Sequence, residues 1–130
     1  MSSNVSVMTA LYDAFAKGDI GAVLAAFDDT IDWQEPESLP FDNQVGPQAV
    51  GENIFGRVIQ LVPNLSVAPA EFHDAGDVVF VVGTYRGTGA ATGTDFEAPF
   101  VHVWRMRDGK ATGFRTYTDT HIWLEALGEA

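Results

Sequence analysis

Residues 96–119, FEAPFVHVWRMRDGKATGFRTYTD, read as two long strands folded back on each other at Asp108-Gly109. Side chains alternate across a strand, so Ala98, Phe100, His102 and Trp104 share one face of the first, and Phe114, Thr116 and Thr118 one face of the second. The first set is apolar except for one imidazole, the lining expected of a dry pocket with a single polar handle. A one-residue slip would turn His102 outward and Val101 and Val103 inward, so the orientation of this strand decides whether the handle exists.

Working upstream, the strand pattern continues over residues 65–73 and 78–86 and joins 95–107 and 111–118 as antiparallel strands. Pro69 interrupts the first of these, which predicts an edge or a bulge. Ala75-Gly76-Asp77 makes one turn. Residues 87–94 make a longer one, whose glycines at 87, 89 and 93 lack dinucleotide-binding spacing and lead into a strand, so no phosphate loop is expected.

Ahead of the strands the period is helical. Val5, Met8, Tyr12 and Phe15, widened by Leu11, give a helix over residues 4–17 that Gly18 stops. Asp19 caps a second helix with inner residues Ile20, Val23, Leu24 and Phe27, ended by Asp28-Asp29. A short strand at 30–34 then gives way, at Glu35-Pro36, to a polar loop reaching Val45, suited to a mouth or lid. Gly46-Pro47 opens a third helix bearing Val50, Ile54, Val58 and Leu61, which Pro63 ends. Gly51 and Gly56 inside it each cost about 1 kcal/mol relative to alanine, so either close packing offsets them or the helix departs locally from regularity. Asp119 or Thr120 caps a terminal helix with Trp123, Leu124 and Leu127. Helices first and strands after make one α+β domain over residues 1–130, a curved antiparallel sheet wrapped around three N-terminal helices with a central pocket. Arg115 and Tyr117 fall on its convex side, which needs cover, so a homodimer is expected.

Composition narrows the function classes. The net charge of -11, from 18 acidic and 7 basic residues, opposes nucleic acid and anionic lipid as partners. No apolar run approaches the roughly 20 residues of a membrane span. The absence of cysteine excludes disulfides and thiolate chemistry, and MSSNVSVMTA lacks the features of a signal peptide, so a cytoplasmic location is expected. His73, His102 and His121 have no metal-ligand spacing, and neither metal nor cofactor is expected.

Several short motifs occur in a fixed order: Tyr12-Asp13-Ala14-Phe15 leading to Gly18-Asp19, Phe27-Asp28-Asp29 to Trp33, Gly46 before the third helix, His102-Val103-Trp104 to Asp108-Gly109-Lys110, and Phe114-Arg115-x-Tyr117-x-Asp119. Together they resemble the superfamily of nuclear transport factor 2, ketosteroid isomerase, limonene epoxide hydrolase and the SnoaL-type polyketide cyclases. The likeness spans nearly the whole chain and implies an NTF2-like cone with a pocket, and usually a dimer. Counted without gaps from Gly18-Asp19, Glu35 falls at a position similar to the general-base aspartate of the steroid isomerases. His102 looks like the active-site histidine of the SnoaL-type cyclases and lies near the isomerases' protonated aspartate. The isomerases' hydrogen-bonding tyrosine falls on Leu11, with Tyr12 one place off. The acidic residue of the cyclases and of the epoxide hydrolase falls on Thr116, and the hydrolase's Arg-x-Asp pair on Gly83 and Tyr85.

The candidate catalytic residues are therefore Glu35 and His102. Glu35 can take a proton next to a carbonyl if the pocket raises its pKa toward neutrality; its other reading is an exposed loop acid. His102 can serve as acid, base or oxyanion donor, or be a buried histidine satisfied by a neighbour. Tyr12, Trp33, Phe100, Trp104, Phe114 and Thr116 are the expected ligand-binding wall. Two functions follow: a cofactor-independent isomerase, cyclase or lyase acting on a small apolar carbonyl compound, or a non-catalytic binding protein for a small hydrophobic molecule.

Overall fold

The computed structural model describes residues 3–130. Ser3 caps the first helix, α1 (Asn4–Ala16), by accepting from the Ser6 backbone N–H at 3.0 Å, and Asp19 caps α2 (Ile20–Ala25) through the Ala22 N–H at 3.1 Å. Strand β1 (Phe27–Gln34) follows at once, three residues earlier than the sequence pattern predicts. Phe27 continues the helical period of α2, but its backbone pairs with Ala111 and its ring packs against Trp33 and Trp104, so tertiary contact overrides the local signal. The two-residue β2 (Gln44–Val45), inside the stretch read as loop, pairs with Asp32 and Trp33.

The third helix is continuous over residues 47–61 but irregular. A regular turn, α3 (Pro47–Val50), passes through a π-helical turn (Gly51–Phe55) into α4 (Gly56–Leu61). Both alternatives posed by its glycines apply: the widened turn begins at Gly51, where a Cβ would stand only 3.1 Å from Leu24 Cδ1. Beyond it run β3 (Ser66–Asp74), β4 (Val78–Thr88), β5 (Asp95–Arg107), β6 (Lys110–Thr118) and α5 (Thr120–Leu127). Asp119 is the α5 cap, bonded to the Ile122 N–H.

The six strands form one sheet in the order β2-β1-β6-β5-β4-β3. Neighbours are antiparallel except β1 and β6, which run parallel, a pairing that no local sequence signal reveals. The β5–β6 hairpin turns at Asp108-Gly109, both at positive φ (52° and 74°). His102 pairs with Thr116 and Trp104 with Phe114, while Met106 meets Ala111 and Arg105 meets Gly113, leaving Thr112 as an extra residue. That bulge lets Ala111 and Phe114 both face inward, three positions apart. A second register shift between Pro69 and Glu71 places a bulge where Pro69 predicts one.

Ala98, Phe100, His102 and Trp104 are all buried on the concave face, whereas Val101 and Val103 lie half-buried on the other. The register is therefore the one that brings the imidazole in. The helices and the loop after β1 close over this face, with Leu39 and Phe41 of the loop buried and Arg57 Nε donating to the Pro40 carbonyl at 2.7 Å. Among the described residues no helix is long and apolar enough to cross a membrane.

Candidate functional site

The concave face encloses a cavity of about 90 Å³. Its walls include Tyr12 from α1, Trp33 and Glu35 at the end of β1, Tyr85 from β4, and His102, Trp104, Phe114 and Thr116 from the β5–β6 hairpin. Leu39 and Phe41 from the loop and Trp123 from α5 also line it. Trp33 stacks on Phe114, its partner across the parallel β1–β6 pair, with ring centres 3.7 Å apart.

His102 is 4% exposed and held from both sides. The Tyr12 hydroxyl lies 2.5 Å from Nδ1 and the Tyr85 hydroxyl 2.5 Å from Nε2; Trp104 Nε1 donates to the Tyr12 oxygen at 3.0 Å, and Tyr85 bonds Thr116 Oγ1 at 3.0 Å. Burial drives the imidazole pKa well below its ordinary value, so the ring is neutral, with one donor and one acceptor nitrogen. The Trp104 donation orders the chain. If Nδ1 carried the proton, the Tyr12 oxygen would take two donors and its own hydrogen would find no acceptor in the network. With the proton on Nε2, donation runs unbroken from Trp104 through Tyr12 to Nδ1, and from Nε2 through Tyr85 to Thr116.

Phe100 corrects one expectation. It stacks flat on the imidazole, centroids 3.9 Å apart and planes within 14°, and lines none of the cavity. Gly83 opposite makes this possible, because a Cβ there would stand 2.5 Å from the Phe100 ring and 2.3 Å from the Ala68 carbonyl oxygen. The other five expected wall residues do line the cavity.

Glu35 occupies a different environment. It is half-buried, its Oε2 accepts the Trp33 indole N–H at 2.6 Å, and its backbone N–H is held by Asn43 Oδ1 at 2.9 Å. Removal from water pushes its carboxyl up to about 7, against the opposing pull of the Trp33 donor. Glu35 and His102 face one cavity without bonding each other. Burial holds both tyrosine hydroxyls far above their ordinary pKa, and the Glu35 charge adds to the rise at Tyr85.

Sequence reasoning missed Tyr85 and Trp123 as wall residues. Alternation from Val79 and Val81 carries Tyr85 to the inner face, so its signal was present; Trp123 reads only as an apolar residue of a terminal helix. Among the described residues, no three His, Cys, Asp or Glu side chains cluster as metal ligands would.

Residues 8–114 match the SnoaL-like domain. The chain belongs to the SnoaL-like family. Its fold is shared with an NTF2-like protein of Burkholderia thailandensis at 30% identity, with 98% of each chain covered and a TM-score of 0.93. TerC, crystallised with polyporic acid, is 31% identical over 98% of this chain and 99% of its own, with a TM-score of 0.89. IdmH of Streptomyces antibioticus, a proposed polyketide cyclase, shares the fold at 19% identity, covering 98% of this chain and 99% of its own, with a TM-score of 0.80. No curated protein sequence matches. The SnoaL-like domain of this chain is thus a member of the NTF2-like superfamily. In its polar network Tyr12, Tyr85 and Thr116 supply the hydroxyls around His102.

Proposed function

We propose that this SnoaL-like protein is an isomerase or cyclase that moves a proton on a small apolar carbonyl compound, with Glu35 as the base. The observation that supports it is the placement of the Glu35 carboxyl on the wall of an aromatic cavity, where burial pushes its pKa up to about 7, in the range for giving and taking a proton near neutral pH. Glu35 takes a proton from the carbon beside the carbonyl, the electron pair moves toward oxygen, and the same carboxyl returns the proton at the product position. His102, held neutral, contributes by fixing the Tyr12 and Tyr85 hydroxyls rather than by titrating. The likeness to TerC, crystallised with polyporic acid, points the same way. Screening cyclic enones and aromatic ketones for hydrogen–deuterium exchange at the carbon beside the carbonyl provides the test. Glu35→Gln is expected to lower any exchange rate by about 10²–10⁴-fold; unchanged exchange contradicts the role.

A second reading, a binding protein for a hydrophobic molecule, is favoured by the saturation of the imidazole wall, where both ring nitrogens are already engaged. Retention of a ligand without conversion on the same panel would select it.

We also propose a homodimer through the convex sheet face. Val82, Val101 and Tyr117 are neighbours there across β4, β5 and β6, next to Phe80 and Val103, and Tyr117 is 54% exposed. Light scattering should give twice 14.0 kDa, and Tyr117→Glu should shift the mass toward one chain; a wild-type mass of one chain at micromolar concentration contradicts the dimer.

A further inference from the structure

Nearly every polar side-chain atom on the cavity wall is engaged by the protein itself. Tyr12, Tyr85, His102 and Thr116 form one chain, Trp104 feeds it, Trp33 donates to Glu35, and Thr118 donates to the Pro99 carbonyl at 2.7 Å. Against that background stands the indole N–H of Trp123. Among the described residues, Nε1 of Trp123 is the buried side-chain polar atom without a hydrogen-bond partner. The residue is 3% exposed and lines the cavity.

The position of Trp123 is fixed from several directions. Asp119 caps its helix, and Thr92 Oγ1 donates to the Ala126 carbonyl at 2.6 Å, tying α5 to the loop after β4. Its ring packs on Phe96 with centroids 4.8 Å apart and edge-on to Tyr85 at 5.1 Å, and Phe41 of the covering loop meets it at 6.5 Å. Trp123 therefore touches the imidazole network through the Tyr85 ring and meets the loop that closes the cavity. An indole nitrogen only donates, and a buried donor without an acceptor is disfavoured unless something completes it. A phenylalanine would fill most of the same space without leaving a donor unmet.

We propose that the Trp123 indole N–H anchors an acceptor oxygen of the cavity's ligand, a carbonyl or quinone oxygen on an otherwise apolar ring. A hydrocarbon offers this donor no acceptor, and a protonated amine offers it none either. Trp123 is thus the residue that selects an oxygenated ligand over a hydrocarbon of the same shape. The inference rests on the reading of the cavity as a ligand site, and the test separates the two.

The probes are acetophenone and α-methylstyrene, which share a shape and differ in C=O against C=CH₂. The chain has three tryptophans, so the Trp123 indole resonance in a proton–nitrogen spectrum is assigned by its loss in Trp123→Phe. In the wild type, acetophenone is expected to move that resonance downfield as the hydrogen bond forms and to bind about tenfold tighter than α-methylstyrene, equivalent to about 1.4 kcal/mol. Trp123→Phe should abolish the preference while α-methylstyrene still binds. If both probes shift cavity resonances but bind equally, or the Trp123 resonance stays in place with acetophenone bound, the anchor role is overturned and the cavity reading survives. If neither probe perturbs any cavity residue, the ligand site itself is overturned and the anchor with it. If the variant fails to fold, the wild-type affinities for the two probes still decide, equal binding overturning the anchor.

Discussion

Two parts of the same cavity wall have opposite physical characters. At the imidazole, each hydrogen bond is answered by another: His102 is closed off by Tyr12 and Tyr85, these by Trp104 and Thr116, and Phe100 lies flat over the ring. At Glu35, a half-buried carboxyl at the start of a loop holds one indole donor and has its pKa displaced into the neutral range. Burial moves both groups toward neutrality, but the outcomes differ. The histidine is driven below the pH range where it would act, and the glutamate is brought into it. A sealed network builds a wall; an incompletely satisfied acid can exchange a proton. Of the two catalytic candidates read from the sequence, His102 is closed into the wall by its own hydrogen bonds, and Glu35 is the one that the proposed function uses as its base.

The largest expected effect is on the sealed side. His102→Ala removes a ring from the core and leaves the Tyr12 and Tyr85 hydroxyls without their shared partner, at a cost of about 3–5 kcal/mol in urea unfolding. A loss below about 1 kcal/mol would break the distinction, because the network would then not be holding the wall together.

Much of this site was legible before any coordinates. The inward set on β5 is readable because that strand has one buried face, so period two survives in the sequence as Ala98, Phe100, His102 and Trp104. Glu35 was singled out by the resemblance to the steroid isomerases, counted from Gly18-Asp19, and the cap of the last helix was read as Asp119 or Thr120, of which the structure uses Asp119. What was hidden depends on non-local contacts. Thr112 is an ordinary strand residue whose bulge exists only relative to β5. The parallel β1–β6 pairing and the early start of β1 at Phe27 are set by rings that meet across the core. Phe100 shares its face with the wall residues, yet Gly83 lets it settle against the imidazole. No sequence rule distinguishes the Trp123 N–H, since its significance is the absence of a partner in three dimensions.

A smaller effect, opposite in sign, is expected on the Glu35 side. The unfolded carboxyl titrates near 4.5 and the folded one near 7, so between these values the unfolded chain binds fewer protons, and stability falls as pH rises, levelling above pH 7. Glu35→Gln removes that penalty. The variant should match the wild type in stability below pH 4.5 and exceed it at pH 8 by on the order of 1–2 kcal/mol, a figure reduced for partial solvation. Thermal unfolding of both proteins across this range reads the difference directly. A variant less stable than the wild type at pH 8 would sharpen the comparison the other way, making Glu35 a structural acceptor for Trp33.

Titration of the Glu35 carboxyl carbon by NMR in the wild-type protein, assigned by its loss in Glu35→Gln, tests the central claim most directly. The account predicts a midpoint near 7, displaced from the ordinary 4.5 by burial in the aromatic wall. A midpoint in the ordinary carboxylate range would contradict it, because Glu35 would then be a solvated loop acid and the cavity would lack its base.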